Sequence, residues 1–304
     1  MKNIGIVGLG LKNPYTYAPI LKEKGAQVVA VYDTYPELVK EYANTFACAE
    51  VYDSTRYPQV DGVIISSINN QHTQLAKYFL SRDIPVFIEK PLSHNVDEAL
   101  QFIDEHAGKP WFSASPLRFS PVYIRMAKDL HAGANPVQYC RVAVFHTMEH
   151  FMKDPRKRWH DNPEEGGGML IDIGIHAIEL LNMVMLEKQI ASCRYSNSSS
   201  HYTSSSSHDN HHAIITYEDG SCASVDVLCA TSHLDYLVEA YTLTERYANS
   251  DEIPYLKGSW NAENAYGGFE KTIEAFLDMV ETKRPPISCE ETRRNFTLLK
   301  HIIG

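Results

Sequence analysis

Residues 1–25 read MKNIGIVGLGLKNPYTYAPILKEKG, and the reading of this stretch decides the fold. Residues 3–8 form a short apolar strand candidate that ends in Gly8, with Gly10 two positions on. This is the opening of a G-x-G-x-x-G loop, in which the first glycine makes a tight turn and the second lets the backbone approach a pyrophosphate. Asn13 stands in place of the third glycine, and Pro14 follows it. Asparagine can cap a helix and proline suits its first position, so the pair reads as a helix start within the cofactor loop. Pro19 falls inside the expected helix and should kink it or delay its regular part. A second apolar run, residues 27–32, leads to Asp33, 25 positions past Gly8. A carboxylate there can accept hydrogen bonds from the adenosine ribose hydroxyls and repels a 2′-phosphate, which favours NAD over NADP. The plainer alternative, a structural strand–turn–helix with a surface aspartate, has the spacing against it.

Working outward, residues 61–66 and 85–89 make two more strands, and helical patterns cover 36–46, 73–82 and 96–106. Near-continuous β-branched strands separated by helices predict an α/β Rossmann domain, a doubly wound parallel sheet, over 1–117. After Arg118 the texture changes. Residues 137–147, 189–195, 213–217, 221–230 and 234–243 read as strands, with Glu218-Asp219-Gly220 as a hairpin turn. One long helix is expected over 168–185 and a last helical region over 269–303. Residues 118–304 are therefore expected to form an α+β domain with a large, mostly antiparallel sheet, whose C-terminal helix can pack back on the first domain.

The chain has 304 residues, 44% apolar and 22% charged, an ordinary globular composition. Its formal charge of −10 argues against a nucleic-acid partner, and the basic residues at 153–158 read as a solvated loop. No apolar run approaches a membrane span, and the N-terminus lacks the pattern of a signal peptide. Six cysteines without a C-x-x-C pair fit reduced thiols in a cytoplasmic protein. The segment SNSSSHYTSSSSHDNHH, 196–212, reads as an exposed loop or polar edge strand. Its histidines share no metal spacing, so no metal site is expected.

Two further motifs carry chemistry. Glu89-Lys90-Pro91 ends a predicted strand, where an open α/β sheet binds its ligands. A lysine there can bind a substrate hydroxyl and stabilise developing alkoxide charge. In GGGMLIDIGIHAIELL, 166–181, Asp172 and His176 stand four apart and would share a helix face. An imidazole suits proton abstraction near neutrality, and the carboxylate can orient it or the substrate. A core histidine paired with an aspartate is the competing reading, and this motif alone does not decide between them.

In order along the chain, these motifs resemble the Gfo/Idh/MocA family, named for glucose–fructose oxidoreductase and inositol dehydrogenase. The glycine loop with Asp33 is similar to the family's cofactor loop. Residues 61–72, DGVIISSINNQH, resemble its D-x-V-x-I-x-T-P-N-x-x-H stretch, with Ser67 for threonine and Ile68 for proline. Glu89-Lys90-Pro91 matches E-K-P, and SPLRFSP at 115–121 resembles the segment ending in R-F-x-P, where Pro116 replaces a commonly polar residue. Trp159, Gly166-Gly167-Gly168, Asp172 and His176 resemble the W, G-G-G and D-x-x-x-H. The resemblance implies cofactor contacts from Gly8, Gly10, Asn13, Asp33, Ser66, Ser67, Asn69, His72 and Glu89. It implies catalysis by Lys90, His176 and Asp172, and a substrate pocket that adds Arg118 and Trp159, with His72 at its edge. The implied reaction is hydride transfer between nicotinamide and a hydroxyl carbon of a sugar, cyclitol or similar small polyol. A homodimer or homotetramer through the second-domain sheet is also implied. Two other uses of the fold stay open: a cofactor-sensing regulator, and a lyase or glycosidase that uses NAD without net redox.

Overall fold

A computed structural model describes residues 1–10, 16–133, 135–186, 188–202, 207–249 and 262–304. The chain divides into two compact units: residues 1–93, 97–114 and 269–293 form the first, and 94–96, 115–268 and 294–304 the second. Among the described residues each unit is built on one six-stranded sheet.

The first unit runs β1 (Lys2–Val7), α1 (Ala18–Glu23), β2 (Ala26–Tyr32), α2 (Pro36–Phe46), β3 (Ala49–Val51), β4 (Gly62–Ile65), α3 (His72–Leu80), β5 (Val86–Ile88), α4 (Val96–Glu105) and β6 (Trp111–Ser113). The strand order is β3-β2-β1-β4-β5-β6 and every pair is parallel. All four residues of β4 and all three of β5 are buried, as expected where helices cover both faces of a parallel sheet. Ile6, Ile64, Phe87 and Phe112 are fully buried, and the last two rings stack at 4.8 Å. Pro19 delays the first helix rather than kinking it. Regular α-helix begins at Ala18, so the proline occupies the first turn, where its missing N–H costs nothing. The short strands β3 and β6 lack the length to show a period in sequence, which is why only four strands are evident there.

The second unit runs α5 (Pro121–Ala132), β7 (Tyr139–Thr147), α6 (Glu149–Lys153), α7 (Gly168–Asp172), α8 (Ile175–Met185), β8 (Ile190–Ser198), β9 (Asn210–Tyr217), β10 (Cys222–Leu228), β11 (Ala230–Tyr241) and β12 (Arg246–Ala248). Its sheet has the order β12-β11-β7-β10-β9-β8; β10 pairs parallel with β7 and the other pairs are antiparallel. The β9–β10 hairpin turns at Glu218–Gly220, with Gly220 at φ 84°. Alternation is clean: Ala213 and Ile215 of β9 and Val225 and Val227 of β10 are buried, while Ile214 between them is 59% exposed. Helix α8 packs across β7, β10 and β11. Two last helices follow, α9 (Ala262–Thr282) and α10 (Cys289–Ile303), and residues 269–293 belong to the first unit.

Two expectations are corrected. The single helix over 168–185 is two helices, because Ile173 and Gly174 turn the chain between them: both of their amides donate to Met169 O, and His176 N bonds back to Ile173 O. The serine-rich segment includes an edge strand, β8, but it is not simply solvated. Asp209 is fully buried and its carboxylate accepts from the backbone amides of Ser200, His201 and Tyr202, each at 2.8 Å. No helix among the described residues is long and apolar enough to cross a membrane.

Candidate active site

In the first unit the strand order reverses between β1 and β4, and ligands of such sheets sit beyond the carboxyl ends of the strands at this switch point. Gly8 follows β1 there with φ 86°, and its amide donates to Tyr32 O at 2.8 Å. A Cβ on Gly8 would lie 2.3 Å from Ser67 N and 2.4 Å from the Ser66 carbonyl carbon, so only glycine fits. Ser66 locks the two loops together: its amide donates to Val7 O and its Oγ to Gly8 O, both at 2.8 Å. Gly10 differs. Among the described residues, a Cβ there would meet only Ser66 O, at 3.8 Å. Asp33 closes the loop, accepting from Leu9 N at 2.7 Å through Oδ2 and from Tyr35 N at 2.9 Å through Oδ1. A glycine cradle with a carboxylate at the end of β2 fits an adenine dinucleotide. Asn13, with Pro14 and Tyr15, lies outside the described residues.

Behind this edge is a buried supporting layer. Glu89 follows β5 and is 5% exposed; its carboxylate accepts from the Tyr17 hydroxyl and from Lys90 N at 3.1 Å. Burial, then the Glu89 charge, raises the Tyr17 phenol well above its ordinary pKa. Tyr17 thus ties the start of α1 to the residue whose backbone carries Lys90. His72 is 1% exposed, with Nδ1 2.8 Å from Pro91 O and Nε2 3.0 Å from Ser67 O. Burial lowers its pKa, opposed by these two carbonyls, and the ring bridges the Ser67 and Pro91 loops. Asn69 is likewise buried, at the start of the 3₁₀ turn that leads into α3.

In the second unit the acid–base candidates each have a partner from another segment. His176 Nδ1 lies 2.5 Å from Ser115 Oγ, and its ring meets Tyr236 edge-on at 5.4 Å. Ser115 is held in turn, its amide donating at 2.6 Å to Glu179, a buried carboxylate one turn past His176 on α8. Asn295 supports the other Glu179 oxygen at 3.4 Å. Asp172, at the end of α7, accepts from His160 Nδ1 at 2.6 Å. Burial raises the Cys229 thiol and the Tyr236 phenol, with the Asp172 charge adding to both. The three glycines of 166–168 allow this packing. A Cβ on Gly166 would strike Trp159 O at 2.4 Å, one on Gly167 His94 O at 2.6 Å, and one on Gly168 the Ser207 Cβ at 2.8 Å. Trp159 stacks on His160 at 3.6 Å, and Arg118 sits half-buried in the 3₁₀ turn Pro116–Phe119.

The structure thus groups Gly8, Gly10, Asp33, Ser66, Ser67, Glu89 and Lys90 on one strand edge and Trp159, Asp172 and His176 in the second unit. The sequence marks Tyr17 only as a residue near the cofactor, not as the partner of Glu89, and sequence reasoning passed over Ser115, His160 and Glu179. Glu179 had a signal, its i, i+3 spacing from His176; the others meet their partners only through tertiary structure.

Comparison with known proteins agrees with this geometry. The family profile described as "Oxidoreductase family, NAD-binding Rossmann fold" matches residues 2–110, and the one described as "GFO/IDH/MocA C-terminal domain" matches 140–241. The chain is 23% identical over 230 residues to 1-carboxy-3-chloro-3,4-dihydroxycyclohexa-1,5-diene dehydrogenase of Comamonas testosteroni, covering 73% of this chain and 56% of that protein. It is 23% identical over 189 residues to myo-inositol 2-dehydrogenase of Thermotoga maritima, covering 61% of this chain and 55% of that one. The matched part thus spans little more than half the length of these curated relatives. In fold it is similar to scyllo-inositol dehydrogenase from Lactobacillus casei, solved with NAD(H) and scyllo-inositol, with a TM-score of 0.83 at 18% identity over 100% of this chain and 96% of that one. With both of its domains matched by that family's profiles, the chain belongs to the Gfo/Idh/MocA family of NAD-binding oxidoreductases.

Proposed function

We propose that this protein is an NAD(P)-dependent dehydrogenase, with NAD favoured, acting on a CH–OH carbon of a sugar, cyclitol or similar small polyol. The observation that carries the reading is the glycine cradle closed by Asp33 in the first unit; acid–base groups stand in each unit, Lys90 on the same strand edge of the first and Asp172 and His176 in the second. The bound nicotinamide supplies hydride acceptance or return. Gly10 leaves room for the pyrophosphate, and Asp33 takes the ribose hydroxyls. The Lys90 ammonium binds the substrate oxygen and stabilises its negative charge as the proton leaves. His176 receives that proton at Nε2, and its Nδ1–H donates to Ser115 Oγ, which steadies the imidazolium. Asp172 orients the substrate side, and Arg118 and Trp159 line the pocket. The relatives named for inositol and dihydroxycyclohexadiene support a ring-shaped polyol.

The proposal includes a cytoplasmic setting, supported by six free thiols, and a homodimer or homotetramer through the open sheet face, supported by exposed Ile214 on β9. Light scattering tests the assembly. The activity is tested by following reduced nicotinamide across a panel of inositols and sugars. NADH formation that Lys90→Ala abolishes, with NAD binding kept, is the expected result. NAD binding without turnover would instead make the protein a sensor, and product without net NADH would make it a lyase.

A further inference from the structure

Asp172 is 1% exposed and offers a ligand almost no surface of its own. Its partner His160 does: that side chain is 18% exposed. The two meet through Nδ1 and Oδ2 at 2.6 Å. An ionised carboxylate has only acceptor sites, so opposite one His160 Nδ1 carries the hydrogen, and an uncharged ring then holds its lone pair on Nε2. Nε2 makes no hydrogen bond with a described residue.

The His160 ring is fixed in orientation as well as tautomer. Phe151 stacks on it at 4.0 Å and 20°, and Trp159 at 3.6 Å and 23°. Its backbone is also fixed. Gly166 lets the chain approach, since a Cβ there would sit 3.0 Å from His160 Cα. The adjacent Asp161, buried, accepts from Ser207 Oγ at 2.6 Å, which anchors the turn to the serine-rich segment. An uncharged imidazole stacked between two aromatic rings, oriented by a buried carboxylate and with Nε2 unbonded among the described residues is a preorganised hydrogen-bond acceptor.

We propose that Asp172 and His160 work as a dyad in which His160 Nε2 accepts a hydrogen bond from a hydroxyl of the polyol, making His160 a substrate-binding residue that selects for a neutral hydroxyl group. The role of Asp172 is then to set the histidine. This rests on the dehydrogenase reading above and names the group that holds its substrate.

The full-length protein labelled with ¹⁵N-histidine tests the tautomer directly. His160 is expected to show a protonated Nδ1 and a bare Nε2 in the free protein, and Asp172→Asn should abolish that preference. The protonated-Nε2 tautomer in the wild type overturns the proposal. With NAD and myo-inositol as the probe, His160→Asn separates binding from support, because the shorter amide can still donate to Asp172 but has nothing at the Nε2 position. The expected result is a KM raised roughly three- to tenfold with kcat changed much less, the loss of one neutral hydrogen bond. An unchanged KM in His160→Asn reduces His160 to a support for Asp172 and refutes the binding role. If the wild type forms no NADH with any polyol, the dehydrogenase reading fails, and the dyad then stands or falls on the tautomer measurement alone.

Discussion

Replacing each of the first two glycines by alanine separates folding from cofactor binding. At Gly8 the new methyl would enter a backbone held at φ 86° and would sit 2.3 Å from Ser67 N and 2.4 Å from the Ser66 carbonyl carbon. Those are main-chain atoms tied to Val7 and Gly8 by two 2.8 Å hydrogen bonds, so they cannot yield cheaply. Left-handed strain of about 1–2 kcal/mol and overpacking of about 1–3 kcal/mol together predict a loss of roughly 2–5 kcal/mol of stability for Gly8→Ala. At Gly10 the methyl would touch, among the described residues, only Ser66 O at 3.8 Å, an ordinary contact, and the backbone is not left-handed. Gly10→Ala should therefore unfold within about 0.5 kcal/mol of the wild type. Its methyl, however, fills the space the pyrophosphate needs, and NAD affinity should fall about 100-fold, close to 2.7 kcal/mol. Thermal unfolding without ligand measures the first quantity and titration calorimetry with NAD the second. Wild-type NAD affinity in a folded Gly10→Ala protein would refute the cradle, and wild-type stability in Gly8→Ala would refute the packing of the loop on Ser66 and Ser67.

Tyr17→Phe keeps the edge-on ring contacts to Phe87 at 5.6 Å and Phe269 at 5.9 Å but takes a donor from the buried Glu89 carboxylate, so denaturant unfolding should report a loss of about 1–3 kcal/mol; a change within error would mean that Glu89 does not depend on this bond. Asp33→Ala removes both the anchor for Leu9 N and the charge that repels a 2′-phosphate, so NAD binding should weaken and the NAD/NADP ratio of affinities should fall; an unchanged ratio contradicts the ribose role. Burial holds His211 down at about 4, against an ordinary value of 6.5, so the unfolded chain takes up its proton first as pH falls. The stability this imidazole allows is complete above about pH 6.5 and declines by about 3 kcal/mol on acidification to pH 4, and His211→Gln should flatten that part of the stability–pH curve.

How much of this was legible before folding depends on how local each signal is. The Rossmann pattern is visible because Gly8, Gly10 and Asp33 must stand at set distances from two apolar strands, and each does its work through its own backbone position. The hairpin at Glu218–Gly220 is legible for the same reason. The break between Asp172 and His176 is not, since the apolar run through Ile173 and Ile175 looks continuous, and the need for glycine at 174 arises only in the folded turn, where a Cβ would lie 2.2 Å from Leu170 O. The pairing of Asp172 with His160 is set by the crossover of the 3₁₀ turn Pro155–Asp161, which no spacing rule encodes. The serine-rich segment misleads for a further reason: its polarity suggests solvent, whereas Asp209 gathers three backbone amides of the same segment and makes it a small buried polar core.

The return of residues 269–293 to the first unit has a consequence for synthesis on the ribosome. Phe276, fully buried, meets Phe87 of β5 at 6.2 Å, and Phe269 meets Tyr17, so part of that unit's core is encoded far downstream of its six strands. Residues 115–268 must be translated first, which takes roughly 10–30 s at ordinary elongation rates. During that interval the nucleotide-binding sheet is complete in its strands but bare where Phe276 will sit. The nascent chain therefore cannot complete the core of its N-terminal unit until residues 269–293 have been made.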